Sequence, residues 1–249
     1  MRHYLTSVQL LRERVPSFTE YPFCLPAVRN LTELALHPAV TFLVGENGSG
    51  KSTLLEAIAV AWGFNPEGGT RNFAFATRGS HSDLHRYLRL VRGVHRPRDG
   101  FFLRAESFFN VATEIERLDE SGMGRRIIDS YGGRSLHEQS HGESFMALVM
   151  ERFGGAGLYL LDEPEAALSP TRQLALLARI HDLVLARSQF VIATHSPLLL
   201  AYPDARIFSL EPDGIEHVQY EQTEHYVVTR RFLQDHNSML KELFDLDDG

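Results

Sequence analysis

Three short runs of consecutive apolar residues punctuate the chain, at 40–44 ("VTFLV"), 157–162 ("GLYLLD") and 189–194 ("QFVIAT"). Each is too short for a helix and too uniformly apolar for a half-exposed strand, so each predicts a buried strand. Stretches 51–62 and 170–187 predict helices following the first two. Alternation at 4–15 predicts another strand. Residues 86–109 predict a β-hairpin turning near "RPRDG", and 205–220 a second turning at "EPDG" before a helical tail. Residues 63–83, rich in glycine, asparagine and serine, read as a mobile loop, and 119–139 as an irregular segment. The segment 138–150, "EQSHGESFMALVM", predicts a capped helix. Ser140 and Glu143 have capping-box spacing, and Phe145, Met146, Leu148 and Val149 supply a face to bury. Strands alternating with helices indicate an α/β fold with a mainly parallel central sheet. The chain has no internal repeat, heptad run or low-complexity tract.

With 249 residues, 43% of them hydrophobic, the chain suits one α/β unit with an insertion. The single cysteine, Cys24, excludes an internal disulfide and a cysteine-built zinc site, and fits a reducing cytoplasm. The N-terminal stretch lacks the apolar core of a signal peptide, and no run of about 18 apolar residues predicts a membrane span. A soluble, cytoplasmic protein is expected. The net charge of −7 lies entirely in residues 201–249, with 4 basic and 11 acidic side chains, and argues against a generally basic nucleic-acid binder. Locally, residues 85–104 hold six arginines and one aspartate. Only two lysines occur, Lys51 and Lys241, against 23 arginines. A lysine kept at 51 suggests a position that needs a compact ammonium rather than a planar fork.

That lysine belongs to "GENGSGKST" (45–53), which matches G-x-x-x-x-G-K-[ST] directly after a predicted strand and opening a predicted helix. Its glycines let backbone amides curl around phosphate oxygens, and the helix N-terminus adds a favourable dipole. Lys51 would reach the β- and γ-phosphates, and Ser52 would ligate magnesium. "LYLLDEPEAALSP" (158–170) adds Asp162 for the metal's water shell and Glu163 as general base. By themselves these would read as two solvated acids at a turn. "VIATHSP" ends the third strand at His195, aimed at the same sheet edge and able to sense or stabilise a γ-phosphate.

Together these residues resemble an ABC-type P-loop ATPase cassette: Walker A at 45–52, Walker B at 158–163, a switch histidine at 195, and "QSHGE" where the family has its signature motif. The motifs span about 60% of the chain. The resemblance implies a P-loop NTPase core with a mainly parallel sheet, an antiparallel β subdomain and a small helical insertion carrying the signature. It implies a single domain over 1–249, with a helical signature subregion at 107–153 and an acidic C-terminal hairpin and helices at 201–249. ATP and Mg2+ are the implied cofactors. Gly45, Glu46, Asn47, Gly48, Ser49, Gly50, Lys51, Ser52 and Thr53 would surround the phosphates, with Ser52 and Asp162 on the metal. Glu163, His195 and Lys51 would carry hydrolysis. Ser140 and Gly142 would close over nucleotide held by a second copy, making an ATP-dependent homodimer. The sequence departs from the family at three places. Its usual L-S-G-G-Q is Gln139-Ser140-His141-Gly142-Glu143, and Ser169 replaces the D-loop aspartate. No clear Q-loop glutamine follows the expected hairpin, and Glu106 is the candidate.

Three roles remain open. The details around "DEPEAALSP" and "ATHSPLLL" resemble the SMC/RecF-like (AAA-family ATPase) branch without its coiled coil, implying a stand-alone ATPase acting on nucleic acid or a partner protein. The alternatives are the energy subunit of a transporter with a membrane permease partner, and a slow ATP-dependent regulatory clamp. Arg89, Arg92 and Arg96 would face nucleic acid in the first role, or form a solvated hairpin.

Overall fold

The computed structural model describes residues 3–70, 82–105, 113 and 140–244. Its strands are β1 (Leu5–Leu10), β2 (Glu33–Ala35), β3 (Val40–Val44), β4 (Leu88–Arg92), β5 (Asp99–Arg104), β6 (Gly157–Asp162), β7 (Gln189–Ala193), β8 (Arg206–Glu211) and β9 (Gly214–Val218). Six form one sheet in the order β5-β6-β7-β3-β8-β9, parallel throughout except for the β8–β9 hairpin. The others form an antiparallel sheet ordered β2-β1-β4.

Every residue of β3, β6 and β7 is buried, as unbroken apolar runs require when both faces of a parallel sheet are covered. Successive side chains point to opposite faces, so each run feeds two cores. Phe42, Tyr159, Leu161, Phe190 and Ile192 pack with Phe145, Leu148, Leu176 and Ile180 from the helices on one face. Leu43, Leu158, Leu160 and Val191 pack on the other face, against Leu54, Leu55 and Ile58 of the Lys51–Trp62 helix and residues of the small antiparallel sheet.

The expected hairpin over 86–109 does not form. β4 pairs antiparallel with β1, whereas β5 leaves for the edge of the large sheet and runs parallel to β6. Residues 88–92 are covered on one side only, but Phe101, Phe102 and Leu103 are all buried, so the two halves need different neighbours. Asp99 anchors the second half. Its carboxylate accepts from Arg152 Nη1 at 2.9 and 3.0 Å, from Tyr159 Oη at 2.8 Å and from the Gly154 amide at 3.1 Å. What resembled a turn is a crossing between sheets.

Other boundaries shift slightly. The first strand stops at Leu10, and Arg12–Arg14 form a 3-10 turn. The described part of the 63–83 loop is pinned rather than mobile: Gly69 exchanges backbone hydrogen bonds of 2.7 and 3.0 Å with Phe102. The rest of that loop, Glu106 and the 119–139 segment with Gln139 lie outside the described residues. The helix after Walker B runs Pro170–Leu185, with Ser169 as its N-cap. The C-terminal hairpin forms as expected and adds β8 beside β3. Helices Glu224–Gln234 and His236–Phe244 follow. Among the described residues, no helix is long and apolar enough to cross a membrane.

Candidate active site

Because β6, β7 and β3 are parallel neighbours, the segments leaving their C-terminal ends converge at one sheet edge, where α/β folds form binding crevices. β3 feeds the phosphate loop, β6 ends at Asp162, and β7 leads to His195.

The phosphate loop needs its glycines for two reasons. Gly45, Gly48 and Gly50 have φ of 143°, 84° and 98°, a region that other residues enter only with strain. A Cβ on Gly45 would also lie 2.7 Å from the Leu210 carbonyl oxygen. Glu46, Asn47 and Gly48 form an exposed tip, and Ser52 and Thr53 are half-buried in the first helical turn. The Ser49 hydroxyl is buried and makes no hydrogen bond among the described residues, as befits a loop whose donors serve a bound oxyanion. Lys51 is only 4% exposed, and its ammonium donates to the carbonyls of Gly45 at 2.8 Å and Glu46 at 2.9 Å. Burial lowers its pKa, while the carboxylates of Glu163, Asp162 and Glu165 pull the other way.

Asp162 is buried at the end of β6, with Oδ2 3.4 Å from Arg104 Nε. Arg104 sits in register with it on β5 and donates 2.7 Å to Glu56 from the phosphate-loop helix. Glu163 occupies the left-handed region, φ 49° and ψ 51°, a conformation costing a non-glycine residue about 1–2 kcal/mol. That turn swings the chain away from the strand and leaves the Glu163 side chain half-exposed, with Oε1 3.8 Å from His195 Nε2.

His195 is held from two directions. Its backbone amide donates to Glu165 Oε1 at 2.6 Å, and its Nδ1 lies 2.9 Å from Nε2 of His225. Burial raises the Glu165 pKa, opposed by hydrogen bonds from the His195 backbone and the Thr194 side chain. Burial, then the Lys51 charge, lowers the pKa of His195, with Glu163 opposing. The resulting open cleft, about 560 Å³, is lined by Gly45, Glu46, Asn47, Glu163, His195, Glu224 and His225.

Four contributors carry no motif: Arg104, Glu165, Glu224 and His225. Glu165 was visible only as the third acid of "DEPE", Arg104 only as the end of an apolar run. Nothing local marked His225, which arrives from the C-terminal helix.

Ser140 and Gly142 do not line this cleft. Ser140 caps helix His141–Ala147, which continues through a π turn at Leu148–Arg152. Glu143 accepts from the Ser140 amide at 3.0 Å and its hydroxyl at 2.7 Å, forming the expected capping box. Gly142 is sterically required: a Cβ there would meet Arg172 Nη1 at 2.5 Å and the Ala167 carbonyl at 2.7 Å. Of the six arginines at 85–104, Arg104 is turned toward the site, whereas Arg86, Arg89, Arg92, Arg96 and Arg98 are exposed. Arg92 stacks over Trp62 at 4.5 Å, Arg104 is turned to Glu56 and Asp162, and Arg86 pairs with Asp83 at 3.5 Å.

Residues 90–201 match a family model described as "AAA domain, putative AbiEii toxin, Type IV TA system", and residues 22–126 match another described as "AAA domain". No curated protein matches the sequence. Among solved structures, an inward-facing "putative metal-chelate type ABC transporter" aligns with a TM-score of 0.51 at 16% identity, over 92% of this chain and 88% of that one. The ATP-binding cassette of an ABC transporter in its ADP conformation gives 0.50 at 16% identity, over 95% and 99%. The SMC head domain from Thermotoga maritima gives 0.44 at 17%, over 88% and 99%. At these identities the likeness is one of fold. Fold and motifs together fit a P-loop ATPase of the ABC type. More narrowly, two stretches of the chain are similar to AAA-domain models, and its fold is shared with ABC-type cassettes.

Proposed function

We propose that the chain binds ATP with magnesium, hydrolyses it, and closes as a head-to-tail homodimer around the nucleotide. In this reading it is a stand-alone switch acting on a partner protein or nucleic acid. The convergence of the phosphate loop, Glu163 and His195 on one cleft carries the reading. Lys51 places positive charge at the terminal phosphates. The Ser52 hydroxyl and Asp162 carboxylate are hard oxygen donors that fit magnesium, an ion that keeps several waters and takes few protein ligands. The metal, when bound, neutralises charge on the terminal phosphates. Glu163 accepts the proton of the attacking water, and His195 contacts the γ-phosphate.

The position of Ser140 and Gly142 away from their own chain's cleft supports a role at the partner's nucleotide.

Glu163→Gln tests the assignment of the base. ATP binding, followed by calorimetry, should persist, while phosphate release falls roughly 10²–10⁴-fold, the usual contribution of a general base. Turnover near wild type would place the base elsewhere.

A further inference from the structure

The helix Glu224–Gln234 has no place among the recognised motifs, yet its first turn enters the cleft. Its start is firmly fixed. Thr223, 3% exposed, accepts from the Tyr226 amide at 3.3 Å and donates to the Tyr220 carbonyl at 2.7 Å. Tyr220 in turn donates 2.9 Å to the carbonyl of Pro197, two residues beyond His195. This brace sets the rings of His195 and His225 with centroids 5.1 Å apart and planes at 49°, and brings His195 Nδ1 within 2.9 Å of His225 Nε2.

Two ring nitrogens at that distance share one proton, and its owner decides what His195 offers the cleft. If His195 Nδ1–H donates, a neutral His195 turns a bare Nε2 toward Glu163 Oε1, 3.8 Å away, and toward any phosphate oxygen. Lone pair then faces lone pair. Neutral His225 would also carry its proton on Nδ1, which is buried with no acceptor among the described residues. A buried donor left unsatisfied costs about 1–3 kcal/mol. If instead His225 Nε2–H donates, the facing lone pairs are removed, and the unpaired donor moves to His195 Nε2. That atom has no hydrogen-bond partner among the described residues, but it has the Glu163 carboxylate 3.8 Å away to attract it and a phosphate in the cleft to receive it. His225 Nδ1 is bare, and His195 carries its proton on Nε2, facing Glu163 and the cleft.

We infer that His225 is a positioning residue that locks His195 in the Nε2–H tautomer, so that His195 meets the terminal phosphate of the nucleotide as a hydrogen-bond donor. Burial lowers the pKa of both rings, consistent with a neutral pair. The phosphate end of this inference rests on the ATPase reading above, but the tautomer does not.

Two measurements test it. In the chain carrying ¹⁵N-labelled histidine, without nucleotide, long-range ¹H–¹⁵N correlation should show His195 protonated at Nε2 and bare at Nδ1. A proton on Nδ1 would overturn the proposal whatever the enzymatic activity. For turnover, His225→Phe fills the space without a donor, and His225→Gln restores an amide N–H at similar reach. The Phe variant should lose about 10- to 100-fold in kcat, the range for partners that orient a metal-bound histidine, with KM for ATP little changed. The Gln variant should recover most of that loss. A Gln variant as impaired as Phe, or equal losses in kcat and KM, would reduce His225 to a packing residue. Absence of ATP hydrolysis by wild type would overturn the ATPase reading, while the correlation spectrum would still decide the tautomer.

Discussion

Lys51 is tied through its ammonium to the phosphate loop itself. Two loop carbonyls hold its buried ammonium, and three carboxylates bias it toward the charged form. A bound phosphate would add a charge-assisted hydrogen bond worth about 1.5–3 kcal/mol. Lys51→Ala should therefore lower ATP affinity by roughly 10- to 100-fold for each phosphate hydrogen bond it removes. Calorimetry with magnesium checks this, and equal affinities would remove Lys51 from the phosphate site. Its proposed role is legible from a local pattern because backbone curl, helix start and lysine all lie within one short stretch. Arg104, Glu165 and His225 were not legible, since each matters through a partner distant in the chain or unmarked by spacing.

Strand β5 depends on one anchor. Asp99 ties it to the end of the π turn through Arg152, to the segment after it through Gly154, and to β6 through Tyr159. Burial raises the pKa of its carboxyl, but Arg152 and the hydrogen bonds from Tyr159 and Gly154 outweigh that, leaving a net lowering. The sign follows: a depressed acid pKa adds stability above the ordinary value of about 4, and this is lost as pH falls through the folded value. Asp99→Asn should cost about 1–3 kcal/mol at pH 7, with the gap to wild type closing below about pH 4. Urea denaturation across that range provides the check. A pH-independent gap would mean that Asp99 contributes shape rather than charge. The same anchor explains why 86–109 misled as a hairpin. "RPRDG" has turn chemistry, but the pairing of β5 with β6, anchored by the hydrogen bonds of Asp99, takes the chain to the other sheet there.

Across the whole molecule, the cross-chain role of Ser140 makes a quantitative prediction. Ser140 is exposed and, among the described residues, bonded only locally, so Ser140→Arg should leave the fold and ATP binding intact while blocking a partner's site. Lys51→Ala should fail for the opposite reason. When the two are mixed, about half the dimers formed at random are heterodimers, each with one intact composite site, so activity should recover to about a quarter of wild type. Recovery will be smaller if both sites must fire together. A Ser140→Arg chain that remains fully active, with turnover per chain independent of concentration, would leave Ser140 as a helix cap alone.

The sequence by itself determined the parallel core strands, the phosphate loop, the Asp162–Glu163 pair and His195. Unbroken apolar runs admit few placements other than a doubly covered sheet, and the loop's glycines and lysine act through adjacent backbone. The tertiary structure alone decided which sheet received β4 and which received β5, and how the buried Asp162 meets Arg104. It also decided that the C-terminal helix delivers His225 to His195. Those outcomes depend on burial and hydrogen-bond satisfaction between segments distant along the chain, and local periodicity carries no record of which distant surface will cover a given face.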